Sequence, residues 1–206
     1  MGKRSIITIS REFGSAGRTI GRLAAEKLGY DFYDVELVKK VAAQTGFDEK
    51  YVERVGEYAP SSNRFAYAFA ARDLSGLSVD DKVWLAQLGV ILELAEKGNC
   101  VIVGRCADYL LRDYKDCLHV FIHAPAEVRA KRIVELYGER DDTPENRLID
   151  KDTRRAINYK YRTGREWGKA QNYDLCLDSN RLGIEYCAAL IAEVASGKPE
   201  LPKDEN

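Results

Sequence analysis

One stretch near the N-terminus decides the predicted fold, Ile6-Ile7-Thr8-Ile9-Ser10-Arg11-Glu12-Phe13-Gly14-Ser15-Ala16-Gly17-Arg18-Thr19. It opens with a short β-branched run that is typical of a buried strand, and a polar loop containing glycine follows at once. Between Arg18 and Leu28 the apolar residues recur at helical spacing, which predicts a helix directly after the loop. A strand, a small-residue loop and a helix in this order form the setting in which backbone N–H groups and the positive end of a helix surround a phosphate.

The loop matches the phosphate-loop pattern G-x-x-x-x-G-K-[ST] in part. Gly17 and Thr19 fit the pattern, whereas Glu12 occupies the position of the first glycine and Arg18 that of the lysine. Arg18 keeps a positive charge beside the transferred phosphate, and the Thr19 hydroxyl stands where it can bind Mg²⁺. The predicted co-substrate is therefore ATP with Mg²⁺, and the predicted phosphate-binding residues are Gly14, Ser15, Ala16, Gly17, Arg18 and Thr19. The structural alternative is a glycine-rich turn that only packs the helix on the strand.

Strand-like and helical segments alternate along the rest of the chain. The predicted strands are residues 6–9, 30–33, 100–103, 119–122 and 175–177. Strands joined by helices and short connections predict a three-layer α/β fold, in which a five-stranded parallel sheet is covered by helices on both faces. Ligands of such sheets bind at the carboxyl ends of the strands, so the chemistry is expected in the loops that begin at Ser10, Gly104 and Ala124.

The same pattern predicts a single domain over residues 1–196 and a disordered tail at 197–206. The segment 138–168 is dense in charge and contains Gly138 and Gly164 as candidate hinges, so it is expected to be a mobile lid. The domain is further divided into a core of residues 4–34 and 79–196 and an insertion at 35–78.

The composition favours a small anionic ligand over a polyanion. Of the 206 residues, 45% are hydrophobic and 32% are charged, and the net charge is -1. This balance gives no general attraction to nucleic acid or to a membrane surface, although arginines are concentrated between Arg129 and Arg165. No apolar run approaches the length of a signal peptide or a transmembrane helix, and the five cysteines are an odd number, so a reducing cytoplasm is the expected location. The composition leaves the oligomeric state open.

Several stretches resemble the cytidylate kinase-like family. They are the first strand with its loop, the segment after the third strand, parts of the predicted lid and the last strand with its helix, that is, Ile7–Arg18, Val101–Tyr109, Asp152, Arg155, Tyr159, Tyr161–Gly164, Tyr173–Leu175 and Leu182–Glu185. The resemblance implies a P-loop NTPase fold of the nucleoside monophosphate kinase type. It also implies ATP-dependent phosphoryl transfer to a nucleoside monophosphate, with CMP or dCMP as the first candidate acceptor.

The resemblance further assigns an acceptor side. Arg105, which follows Gly104, is similar to the arginine that holds the acceptor's phosphate in cytidylate kinases. Asp34 is the counterpart of an acceptor-binding aspartate in that family, and Asp108 lies close to the position of another. The insertion at 35–78 is accordingly expected to contribute to acceptor binding.

Arginines on two helices are candidates for the donor side. Arg132 is similar in position to arginines that contact the donor nucleotide in relatives, and Arg154 and Arg155 would reach the phosphates from the lid. With Arg18 and Arg105, the two lid arginines complete the predicted catalytic set. The structural alternatives are an exposed helix face for Arg132 and pairing of the lid arginines with nearby aspartates.

Glu12 and Arg18 depart from the phosphate-loop pattern, and Val103 and Cys106 depart from the pattern of true cytidylate kinases. They leave two further interpretations open. One is a P-loop kinase for another small phosphate acceptor. The other is a nucleotide-binding regulatory protein that has lost turnover.

Overall fold

The computed structural model describes residues 4–57 and 77–197. Its strands are β1 (Ile6–Arg11), β2 (Asp31–Tyr33), β3 (Cys100–Val103), β4 (Cys117–His123) and β5 (Leu175–Asp178). Its helices are α1 (Gly17–Leu28), α2 (Val35–Thr45), α3 (Glu49–Glu57), α4 (Val79–Lys97), α5 (Ala107–Leu110), α6 (Ala126–Tyr137), α7 (Pro144–Thr163) and α8 (Ile184–Ala195), with a 3₁₀ turn at Ala170–Asn172. Residues 58–76 of the predicted insertion and residues 198–206 of the predicted tail lie outside the described residues.

The five strands form one parallel sheet in the order β2-β3-β1-β4-β5. β1 therefore lies in the middle, with β3 on one side and β4 on the other. After β1 the chain forms β2 and β3 on one side of it and then β4 and β5 on the other side. The carboxyl end of β1 is therefore a topological switch point. The predicted three-layer α/β fold is confirmed.

Alternating side chains of the strands build separate cores on the two faces of the sheet. On one face, Ile6 and Ile102 pack with α2, α3, α4 and α5. On the other face, Ile7 and Ile9 pack with α1 and α8. Burial on both faces explains why the strands appear in the sequence as continuous apolar runs.

The structure differs from the prediction in the length of β1 and in having the additional short helix α5. β1 extends beyond Ile9 because Ser10 and Arg11 continue the pairing with Phe121 and Ile122 of β4. The tertiary pairing thus overrides the polar character of these two residues, and it carries Arg11 to the carboxyl edge of the sheet. The short helix α5 was not predicted. No helix within the described residues is long and apolar enough to cross a membrane.

The helix of the predicted lid, α7, is attached to the core near its C-terminal end. Tyr159 donates a 2.6 Å hydrogen bond to the carboxylate of buried Asp108, which also accepts one of 3.2 Å from Ser10. Burial raises the pKa of the Asp108 carboxyl, whereas the hydrogen bonds from Tyr159 and Ser10 act in the opposite direction. Beyond α7, Trp167 packs edge-on against Phe121, with ring centroids 5.4 Å apart.

We predict that Tyr159→Phe lowers the free energy of unfolding by about 1–3 kcal/mol, because the buried Asp108 oxygen loses its donor. The matched control is Tyr186→Phe, since Tyr186 is 59% exposed on α8. Urea denaturation of both variants measures the effect. Equal stability of the two variants would show that the Tyr159 hydrogen bond contributes nothing to the attachment of α7.

Candidate active site

The phosphate loop follows β1 at the switch point of the sheet. Gly14 and Ala16 have φ angles of 77° and 63°, in the left-handed region. A side chain at Gly14 would also collide with α6, since a Cβ there would lie 2.8 Å from the carbonyl oxygen of Arg129. Ala16 immediately precedes α1 and has only a methyl side chain, which cannot cap the helix. The first turn of α1 is therefore left to a ligand such as a phosphate.

A chain of hydrogen bonds holds the loop from behind. The buried Ser15 hydroxyl donates to the carbonyl oxygen of Glu12 at 2.9 Å. The carbonyl oxygen of Ser15 accepts a 2.7 Å bond from Ser179, which in turn accepts a 2.9 Å bond from Arg132. Arg132 thus positions the loop through Ser179 in this structure, and it is absent from the lining of the main cavity.

A second set of contacts neutralises Glu12, the residue in place of the first glycine. One of its carboxylate oxygens accepts a 3.2 Å bond from the Ala124 amide and lies 3.3 Å from Nε of Arg129. Arg129 also donates a 2.6 Å bond to Asp152 on α7, and Asp152 accepts a 2.8 Å bond from the amide of Phe13. Arg129 is only 11% exposed. These contacts connect the loop to α6 and α7 and offset the negative charge of Glu12.

The main cavity, of about 540 Å³, opens over the phosphate loop. Its volume lies within the roughly 300–1,000 Å³ typical of small-molecule sites. Gly14, Ala16, Gly17, Arg18 and Thr19 line one wall of it. Basic residues outnumber acidic ones in the lining, with Arg11, Arg18, Arg140, Arg147, Lys151 and Arg155 against Glu12, Glu53, Asp142 and Asp150. The cavity therefore favours an anionic ligand.

A second cavity, of about 100 Å³, lies beside the first on the β3 side of the loop. Arg18 and Glu53 line both cavities, and Asp34 and Arg105 line the second. Arg18 forms an ion pair with Asp34, which is buried. Arg105 donates a 3.1 Å bond to the carbonyl oxygen of Glu53. The side chains of Arg18 and Glu53 thus border both spaces.

The backbone after β3 is unusual. Gly104, Arg105 and Cys106 have φ angles of 72°, 60° and 54°, so three consecutive residues are left-handed. For residues other than glycine this conformation costs roughly 1–2 kcal/mol each. The Gly104 amide donates a 2.9 Å bond to Ile9, and the Arg105 carbonyl oxygen accepts a 3.3 Å bond from Gln87. Strained backbone of this kind is typical of functional loops.

The structure brings most of the predicted site residues together. The loop residues and Arg155 line the main cavity, except for Ser15, which is buried behind it, and Arg105 and Asp34 line the second. Asp108 is buried beneath the loops, bonded to Tyr159 and Ser10. Arg154 is 51% exposed and paired with Asp150 at 2.7 Å. The roles of Arg132, Arg154 and Asp108 in ligand binding therefore stay predictions without support from their present contacts.

Sequence reasoning assigned no role to several residues that line the main cavity, among them Arg11, Glu53, Arg140, Arg147 and Lys151. For Arg11 a signal was present, because this basic residue lies two positions after a predicted buried strand, at the ligand edge of the sheet. The others lie in charged segments whose orientation depends on how α3 and α7 pack, and no local pattern marks them.

The residues present are compatible with Mg²⁺ bound through a nucleotide. Among the described residues no group of three or more His, Cys, Asp or Glu could hold a metal ion by itself. Mg²⁺ in kinases is commonly held by one or two protein oxygens together with phosphates and water. The Thr19 hydroxyl lies in the lining of the main cavity, where it can supply such an oxygen.

A parallel sheet with a phosphate loop at its switch point, below a cavity rich in arginine, defines a P-loop enzyme of the nucleotide kinase class. Residues 6–181 match the model of the cytidylate kinase-like family. The chain belongs to that family, as the resemblance predicted.

Individual relatives agree with this assignment. The cytidylate kinase of Methanococcoides burtonii is 26% identical over 177 residues, which cover 85% of this chain and 88% of the relative. Among solved structures, an uncharacterized protein from Eubacterium ventriosum has a TM-score of 0.71 at 24% identity, covering 94% of this chain and 99% of that chain. A shikimate kinase from Acinetobacter baumannii has a TM-score of 0.52 at 16% identity, with 92% of each chain covered. The two structures support the fold alone.

We predict that Gly17→Ala weakens ATP binding at least about tenfold and destabilises the protein by about 1–3 kcal/mol, as overpacking does. A Cβ at Gly17 would lie 2.5 Å from Cβ of Arg11, so the first turn of α1 would have to move away from β1. Calorimetric titration with ATP and Mg²⁺, beside urea denaturation, measures both effects.

Gly89→Ala in α4 is the control, because no atom lies within 4 Å of a Cβ placed there. It should leave ATP binding unchanged and alter stability by no more than about 1 kcal/mol. Wild-type ATP affinity in Gly17→Ala would mean that close packing of α1 on β1 does not position the phosphate loop.

Proposed function

We propose that this protein is an ATP-dependent kinase that transfers the γ-phosphoryl group to a nucleoside monophosphate, with CMP or dCMP as the acceptor. One observation carries the proposal: the main cavity over the phosphate loop adjoins a second cavity lined by Asp34 and Arg105, and Arg18 lines both. Two anionic ligands can therefore meet at Arg18. The names of the cytidylate kinase relatives support the choice of acceptor.

The donor nucleotide is assigned to the main cavity. The loop from Gly14 to Thr19 would surround its terminal phosphates with backbone amides, and Arg18 and Arg155 would contact them with guanidinium groups. Mg²⁺, when bound through the nucleotide and the Thr19 hydroxyl, would offset the charge that develops between the phosphates. Phosphoryl transfer requires little covalent chemistry from the protein, so positioned positive charge is its main contribution.

The acceptor is assigned to the second cavity by its phosphate group alone, because a volume of about 100 Å³ is too small for a whole nucleotide. Its phosphate would contact Arg105, whose guanidinium now donates to a backbone oxygen of α3 and can exchange that bond for one to a charged phosphate oxygen. Asp34 would keep Arg18 oriented between the two ligands through their ion pair. An oxygen of the acceptor's phosphate would then attack the γ-phosphorus of ATP. The bond to the β–γ bridging oxygen breaks, and its electron pair stays on ADP.

The segment 138–168 is proposed to close over the bound phosphates. Most of its first part is exposed, with Ile149 65% exposed, although Leu148 packs against α6. Asp152 and Tyr159 attach the later part to the phosphate loop and the core. During closure, the N-terminal half of α7 and the turn before it would move, with Gly138 as the hinge. Such closure excludes water from a hydrolysable phosphate.

The activity is tested by ADP release in a coupled assay, with ATP, Mg²⁺ and a panel of nucleoside monophosphates and small alcohols. We expect turnover with CMP or dCMP well above that with the other compounds. Turnover with a non-nucleotide alcohol instead would establish a kinase for another acceptor. ATP binding without turnover on any acceptor would overturn the proposal in favour of a regulatory nucleotide-binding protein.

We predict that Arg105→Ala raises the KM for the acceptor by about 10–100-fold, the range expected when a charged hydrogen bond is lost. The KM for ATP should change much less, because Arg105 lines the second cavity and is absent from the lining of the first. Steady-state kinetics with each substrate varied in turn measures the difference. Arg112→Ala is the control, since Arg112 lies over the ring of Tyr109 and beside Asp113 instead. An equal rise in both KM values would contradict the assignment of Arg105 to the acceptor.

We also predict that hydrogen exchange in residues 138–150 slows when ATP and CMP bind together. The anchored part around Tyr159 should be protected with or without ligands, because it is already bonded to Asp108. Mass spectrometry of peptides with and without the nucleotides provides the measurement. Full protection of residues 138–150 in the free protein would mean that the segment is a fixed part of the fold.

A further inference from the structure

The Arg11 side chain extends from the phosphate loop to the loop after β3. Arg11 is the last residue of β1, and its backbone pairs with Ile122 of β4. The aliphatic stem of the side chain packs against Gly17, the first residue of α1. If Gly17 carried a Cβ atom, that atom would lie 2.5 Å from Cβ and 3.0 Å from Cγ of Arg11. The guanidinium of Arg11 packs against Gly104 in the loop after β3. If Gly104 carried a Cβ atom, that atom would lie 3.1 Å from Cζ of Arg11 and would overlap Nη1.

The two glycines therefore make room for one side chain. Gly17 begins the helix that is assigned to the donor phosphates, and Gly104 begins the loop that carries Arg105 to the acceptor. Any larger residue at either position would displace Arg11 from this path. The side chain is fixed by packing at both ends, which is the preorganisation that a charge-stabilising group requires.

Arg11 also lines two cavities. One is the main cavity, and the other is a small space of about 40 Å³ enclosed in part by Arg105 and Trp167. Arg155 lines the same two cavities and donates a 3.4 Å bond to the carbonyl oxygen of Arg11. The Arg11 guanidinium thus lies between the main cavity, which is assigned to the donor, and the loop that carries Arg105, the proposed contact of the acceptor's phosphate, although Arg11 does not line the second cavity itself.

We propose that Arg11 is a catalytic residue whose guanidinium contacts the phosphoryl group while it passes between donor and acceptor. The inference rests on the proposed function, and it adds a residue outside the phosphate-loop pattern to the reacting centre. During transfer, negative charge spreads over the equatorial oxygens of the phosphoryl group and over the attacking and leaving oxygens. A cation at the boundary of the two sites stabilises this charge more than it stabilises either substrate bound alone.

This placement predicts an effect on kcat rather than on substrate binding. Arg11→Met keeps an apolar stem of similar length against Gly17 and removes only the charged head. We expect kcat to fall roughly 10²–10³-fold, as when one preorganised donor is lost, with the KM for ATP and for CMP within about threefold of wild type. Arg11→Lys should lie between the two, because lysine supplies charge without the planar fork.

Two measurements separate this role from a structural one. Free guanidinium ion, at concentrations far below those that unfold proteins, should restore part of the turnover of Arg11→Met and leave wild type unchanged. Arg22→Met is the matched control, because Arg22 is an exposed residue of α1 that pairs with Glu26. It should retain wild-type kinetics.

The inference is overturned if wild type turns over and Arg11→Met keeps its kcat, or if only the KM for ATP rises. If wild type shows no turnover on any acceptor, the proposed function fails separately, and binding decides the role of Arg11. The probe is then a bisubstrate compound in which adenosine and cytidine are joined by five phosphates. Arg11→Met should bind it at least roughly 30-fold more weakly, with ATP affinity little changed. Unchanged affinity for this compound would overturn the inference.

Discussion

A loop that offers its amides to a ligand cannot use the same amides to hold itself in place. In this protein only the Ser15 amide bonds within the loop, to the Glu12 carbonyl oxygen, among the contacts described, and the main supports are Ser179 on the Ser15 carbonyl oxygen and Asp152 on the Phe13 amide. Arg129 and Arg132 fix those partners in turn. The rest of the site depends on this arrangement, because the strand, two helices and the loop after β5 all meet behind the phosphate loop.

Charge in the site is organised around the same contacts. Glu12, which stands where a phosphate would be repelled, is paired with Arg129 and the Ala124 amide, so it becomes part of the support of the loop. Arg18 is held by Asp34, and Arg105 by a backbone oxygen. Arg18 and Arg105 therefore already have an oriented geometry, and an incoming phosphate has little reorganisation of these two side chains to drive.

The sequence predicted the architecture well because its signals are local. β-branched runs, a glycine-containing loop and helical periodicity each lie within a few residues, and they define the sheet and the position of the phosphate loop. The partners of charged side chains are set by tertiary packing, and there the predictions were weaker. The choice of Arg132 and Arg154 as ligand contacts followed from helix position, but their bonds to Ser179 and Asp150 could be found only in the fold. Arg11 has a local signal, its position just after a buried strand, but its contacts with Gly17 and Gly104 are likewise set by tertiary packing.

The left-handed run from Gly104 to Cys106 also bears on how far this protein can be made resistant to heat. Asparagine and glycine tolerate that conformation more readily than arginine or cysteine, so their introduction at 105 or 106 relieves conformational strain in the free protein. Because Arg105 is the proposed acceptor contact, only Cys106 can be exchanged without removing that contact. Cys106 is buried, so the strain relieved there is set against lost packing for glycine or a buried amide for asparagine, and the melting temperature rises only where the relief is larger.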